Sequence, residues 1–121
     1  MLTSISEAVM ERTNAAFMSG VPEFLVLQLL TREPMYGYQL VKSIRLVSGE
    51  AISLGEGVVY PVLHSLERNG SLRAKRKDYK GRTRVYYHIT PKGRRRLVRL
   101  TGDWDRINTG VSAVLGEMSN A

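Results

Sequence analysis

The sequence contains no cysteine. Disulfides, thiolate catalysis and cysteine-based zinc sites are excluded together, and the chemistry fits a reducing compartment such as the cytoplasm. Histidine is scarce. His64 and His88 fall on different segments with no carboxylate at a suitable spacing, and no glycine-rich phosphate loop or metal-ligand spacing occurs. These absences leave an enzyme, a metal or a cofactor without support. Long apolar runs are also missing. The longest, over residues 21–30, is interrupted by Pro22, Glu23 and Gln28, too short and too polar to cross a bilayer. The N-terminal residues lack a basic start followed by an apolar stretch, so no signal peptide is expected. Acidic side chains are nearly absent from one region. Between residues 68 and 99 there are thirteen Lys or Arg and one acid, Asp78.

That last absence gives the net charge of +7 its meaning. A clustered excess of cations favours a polyanionic partner, nucleic acid above all, over a merely solvated basic surface. With 121 residues, the chain is expected to form one modest core, and any long element beyond it needs a partner to cover it.

The patterning predicts mainly helix with a small β-hairpin. A helix over 4–18 is expected from the capping box Ser4 with Glu7. A second, over 22–32, starts with Pro22 and is apolar nearly all round. A third, over 36–48, places Tyr38, Val41, Ile44 or Arg45, and Val47 or Ser48 at helical spacing, with Leu40 flanking and Gly49 as a stop. Ser53 with Glu56 reads as a second capping box, opening a helix that runs to Asn69 on the apolar set Val59, Val62, Leu63 and Leu66. Strands are expected over 71–77 and 83–90, joined by the polar turn 78–82. Thr90 and Pro91 open a last helix. In it Leu97, Leu100, Trp104, Ile107, Val111, Val114 and Met118 recur as a heptad seam, a pattern that asks for a second helix to cover it.

Helix, helix, helix, basic hairpin is the order of a winged helix-turn-helix. The helix over 56–69 then enters the major groove, which admits one helix, and the hairpin reaches across the backbone. Its outward face carries Gly57, Pro61, His64 and Arg68, with Tyr60 on the flank. The candidate DNA contacts are therefore Ser53, Glu56, Gly57, Tyr60, Pro61, His64 and Arg68, joined by Lys75, Lys77, Lys80, Gly81, Arg82 and Arg84 of the wing. The expected division is an N-terminal helix over 1–20, a DNA-binding domain over 21–90 and a dimerisation helix over 91–121.

Residues 54–70, LGEGVVYPVLHSLERNG, resemble the PadR signature, in which a glycine, two further residues and Tyr-Pro open the recognition helix. Residues 35–40, MYGYQL, are similar to that family's glycine–tyrosine segment, and 84–93, RVYYHITPKG, to its wing strand and the start of its last helix. Asp103 with Trp104 matches an acidic–Trp pair common there, and the whole likeness spans about residues 21–115. Val58 departs from the pattern, since the family often has Thr there. The resemblance implies a compact, homodimeric repressor that binds a palindromic operator in double-stranded DNA through Tyr60 and a wing tip at Gly81. It also implies a partner contact at Trp104 and release by a small aromatic effector. Two other readings of the residues stay open: a non-specific nucleic-acid-binding module, and a winged-helix adaptor that binds protein instead of DNA.

Overall fold

The computed structural model describes residues 19–120, with side chains to Gly116. The helix expected over 4–18 lies outside the described residues. Three helices and a three-stranded antiparallel sheet precede one long helix: α1 (Val21–Leu30), β1 (Met35–Tyr36), α2 (Gly37–Val47), α3 (Glu56–Arg68), β2 (Leu72–Tyr79), β3 (Arg82–Ile89) and α4 (Pro91–Asn120). The sheet order is β1-β3-β2. This is the mainly helical winged helix-turn-helix that the patterning implied.

Among the described residues, the apolar side chains with no accessible surface come from three helices: Val26 and Leu27 of α1, Leu40 of α2, Val59 and Leu63 of α3. Met35, Leu72 and Tyr87 close this core from the sheet. Burying one such leucine contributes roughly 1.5–3 kcal/mol. The inward face of α3 is the expected Val59/Leu63/Leu66 set. In α2 the expected stripe is inward at Ile44, at the flanking Leu40 and in part at Val41. Its buried residues are Gly37, Leu40 and Ile44, while Tyr38 and Val47 are exposed. A stripe read from hydrophobicity alone missed Gly37, which is inward because nothing larger fits there.

Element boundaries have identifiable reasons. The cap of α3 is Gly55, and Glu56 is the first helical residue, as the expected helix over 56–69 has it. The Gly55 carbonyl accepts from the N–H groups of Val58 and Val59, each at 3.0 Å. Ser48 organises the turn before it, its hydroxyl accepting from the Ile52 N–H at 3.0 Å. The hairpin is longer than expected at its tip. Lys80 and Gly81 alone form the turn, at φ of 49° and 78°, the type I′ pattern that matches strand twist. Thr83 donates to Asp78 across the strands at 2.9 Å, which holds the last pairs in register. The two-residue β1 was not expected, because two residues show no alternation.

A small knot of hydrogen bonds sets where α4 begins. The Thr90 hydroxyl accepts from the Gly93 N–H at 3.1 Å, the cap expected there, and donates to the carbonyls of Gly70, at 2.6 Å, and Ser71, at 3.0 Å. The Lys92 ammonium reaches the Asn69 carbonyl. Gly93 sits so close that a Cβ on it would lie 2.2 Å from the Ser71 carbonyl oxygen. Gly93→Ala should therefore destabilise the protein by about 2 kcal/mol or more, since a backbone oxygen cannot step aside. Chemical denaturation measures this, and a midpoint equal to that of the unsubstituted protein would contradict the contact.

Candidate nucleic-acid interface

The sheet has two unlike faces. Successive side chains of a strand alternate between faces, so the register assigns each residue to one. Tyr36 opposes Tyr86, Lys75 opposes Tyr86, Lys77 opposes Arg84, Tyr79 opposes Arg82 and Arg73 opposes His88. One face thus gathers Arg73, Lys75, Lys77, Arg82 and Arg84 among Tyr36, Tyr79, Tyr86 and His88. The other carries Met35, Leu72 and Tyr87 into the core at its root and Asp78 with Thr83 near its tip.

On the cationic face, rings take the place of carboxylates. The Arg84 guanidinium lies 4.4 Å from the centroid of the Tyr36 ring and 4.8 Å from that of Tyr79. The Lys77 ammonium is 5.7 Å from the Tyr86 ring and the Lys80 ammonium 5.3 Å from that of Tyr79. Tyr36 and Tyr86 meet edge to face at 5.5 Å. Such contacts stabilise a cation without cancelling its charge. Ion pairs among the described residues join Arg45 to Glu50, Arg96 to Glu23 and Arg106 to Asp103, none of them on the wing. Arg84 titrates above the ordinary arginine range, first because of a side-chain hydrogen bond with Tyr86, while its desolvation acts the other way. A groove of about 370 Å³ borders this face between Glu33, Pro34, Lys75, Lys77, Tyr86 and His88.

The expected recognition residues are arranged as follows. Glu56, Gly57, Pro61, His64 and Arg68 are exposed on α3, and Ser53 lies half-buried just ahead of it. Pro61 has no N–H to offer the Gly57 carbonyl four residues earlier. Tyr60 is half-buried: its ring packs on the core and runs along Gly37, and His64 stands beside it with ring centroids 6.3 Å apart. A Cβ on Gly37 would come within 2.5 Å of the Tyr60 ring, so this glycine makes the place for that tyrosine. Lys75, Lys77, Lys80, Gly81 and Arg82 are exposed, and Arg84 is half-buried between its rings. The sequence reading missed Tyr36, Tyr79 and Tyr86. Their signal was the interleaving of tyrosine and cation along two strands, legible only once cross-strand pairs are known.

The seam expected along α4 divides in two. Leu97 is buried in the chain's own core, which corrects its assignment to a partner contact, and half-buried Leu100 packs against that core: the first turns of α4 are needed to close the domain. Beyond them Trp104, Ile107, Val111 and Val114 are 45%, 57%, 51% and 58% exposed. Met118 lies within α4, with its side chain outside the description. Phe24 approaches Trp104 with ring centroids 6.4 Å apart, and Arg96 pairs with Glu23, so α1 and α4 are joined at their crossing. Among the described residues no helix is long and apolar enough to cross a membrane, and no group of acidic or histidine side chains is placed to hold a metal.

A three-helix core, an exposed helix face and a cationic two-stranded wing define a winged helix-turn-helix of the DNA-binding transcription regulators. The Transcriptional regulator PadR-like family matches residues 26–99. Among solved structures, a PadR family transcriptional regulator from Eggerthella lenta is 30% identical, with a TM-score of 0.71 over 94% of this chain and 91% of its own. A PadR-like transcriptional regulator from Bacillus cereus is 29% identical, with a TM-score of 0.72 over 83% and 96%. A transcriptional regulator from Clostridium thermocellum is 25% identical, with a TM-score of 0.75 over 82% and 94%. An uncharacterised protein of Lysinibacillus sphaericus is 27% identical over 73% of this chain and 82% of its own. The chain belongs to the PadR-like family of transcriptional regulators.

His88 gives the cationic face a pH signature. Burial lowers its pKa first, and Lys75 and Arg73 lower it further. As pH falls through about 6.5 the unfolded chain takes up a proton that folded His88 still refuses, so stability declines until the folded pKa is passed. His88→Gln should flatten this part of a stability profile recorded between about pH 7.5 and about pH 5.5. An unaltered slope in the variant would remove His88 as its source.

Proposed function

We propose that the protein is a homodimeric repressor in the cytoplasm that binds a palindromic operator, laying α3 in the major groove and the wing on the flanking backbone. The observation that carries this reading is the sheet face on which Arg73, Lys75, Lys77, Arg82 and Arg84 lie side by side without an ion-paired carboxylate. Five unneutralised cations beside an exposed helix face match a polyanion with two strands of phosphate. On this reading the contacts to DNA come from Ser53, Glu56, Gly57, Tyr60, Pro61, His64 and Arg68, together with Lys75, Lys77, Lys80, Gly81, Arg82 and Arg84. The domain over 21–90 reads DNA and the helix over 91–121 makes the dimer, joined by the segment over 1–20. Two-fold symmetry then spaces the recognition helices by about 34 Å, one turn of DNA.

Dimerisation is supported by the four apolar residues from Trp104 to Val114, which stay exposed among the described residues on a helix that Gly102, Gly110 and Gly116 weaken. Duplex from upstream of the protein's own gene is the first probe, compared with random duplex. Tyr60→Ala and Arg82→Ala should each weaken binding, Arg82→Ala by a similar factor on both duplexes and with a salt slope lower by about one. Ile107→Glu should yield a folded single chain by sedimentation. Equal affinity for both duplexes would favour a non-specific binder. No affinity for either would favour an adaptor.

The effector reading rests on Trp104 and Phe24, an aromatic pair half-open to the position a second α4 would occupy. Trp104 is the single tryptophan, so its fluorescence reports on that site alone. Titration with a phenolic acid should quench it and release bound duplex. Quenching without release would exclude the pair as an effector site.

A further inference from the structure

We propose that Tyr36 is a positioning residue for nucleic-acid binding: with Tyr79 it holds the Arg84 guanidinium ready for a backbone phosphate. The proposal rests on the DNA-binding reading above and names the device by which the wing serves it. Arg84 differs from the other cations of its face. Lys75, Lys77 and Arg82 are exposed, whereas Arg84 is half-buried between two rings, at 4.4 Å and 4.8 Å. An arginine kept for structure alone is ordinarily met by a carboxylate, as Arg96 is by Glu23. Arg84 is met by rings, which fix its plane and leave its charge and several N–H donors free.

The origin of the rings matters as much as their contact. Tyr79 belongs to the wing, but Tyr36 stands in β1, one residue before α2. Tyr36 also packs on Tyr86 of β3, so it ties the wing to the helix pair that presents α3. Its neighbour Gly37 carries the Tyr60 ring. One short segment therefore sets two groups aimed at the same duplex, Tyr60 directly and Arg84 through the Tyr36 ring. An arginine already held spends less rotamer entropy when a phosphate arrives.

The test uses the full-length protein and a random-sequence duplex, titrated by fluorescence anisotropy at several salt concentrations. Arg84→Ala should weaken binding and lower the salt slope by about one. Tyr36→Ala should raise the Kd roughly three- to tenfold with the slope unchanged, because the charge stays and only its ordering is lost. Tyr36→Phe should bind like the unsubstituted protein. In an Arg84→Ala background, Tyr36→Ala should add nothing. Thermal melts accompany each variant, and Tyr36→Leu replaces Tyr36→Ala should the latter fail to fold. The proposal is overturned if Tyr36→Ala binds normally, or if it weakens the Arg84→Ala protein by the same factor. Those results leave the DNA-binding reading standing. An unsubstituted protein without affinity for any duplex would end both.

Discussion

The architecture depends on the junction where α3 ends, the hairpin begins and ends, and α4 departs. Four backbone segments meet there within hydrogen-bond distance, around the Thr90 hydroxyl and the Ser71 carbonyl. The Gly93 contact leaves no slack, so the angle between α3 and α4 is fixed by atoms of the main chain. That angle matters because α3 carries the face offered to DNA and α4 the stripe offered to another subunit. In a symmetric pair, a small rotation at this junction would be magnified along α4 into a changed separation of the two reading helices. The buried Ser71 hydroxyl finds no hydrogen-bond partner among the described residues, a cost of roughly 1–3 kcal/mol carried by the tightest part of the fold.

The wing is built on a different principle from the core. Its root is held by Leu72, Tyr87 and Met35, and its tip by a two-residue turn and one Asp78–Thr83 hydrogen bond. Between them, tyrosine rings space the cations, so neighbouring positive charges are separated by surfaces they are attracted to. The arrangement keeps five charges on one face without the carboxylates that would blunt them. Glu33 stands at the border of that face and is engaged by Gln39 at 3.4 Å.

Much of this was legible in the residues, for physical reasons that also explain what was not. The core face of α3 and the cap at Thr90 follow from spacing and from single side-chain bonds, both local. The opening of α3 at Glu56 was legible for the same reason, since a polar and glycine-containing stretch precedes the first apolar turn. The heptad through Leu97 and Leu100 is real as a period, but periodicity does not say who covers which part. The first two positions face the chain's own core and the later ones face outward. The Tyr36–Arg84 contact was invisible because it joins residues 48 positions apart through a strand of two residues, a separation no sequence window spans.

The carboxylate-poor wing has a consequence for how the molecule responds to its surroundings. Charges of one sign crowded on a thin hairpin push against one another, and no ion pair among the described residues relieves them. Dissolved ions quiet that internal quarrel, yet the same ions compete for the phosphates the hairpin is shaped to meet. Ionic strength thus pulls in opposite directions on keeping the finger's shape and on keeping its grip. The lone finger is firmest in brine, and the engaged finger in dilute solution.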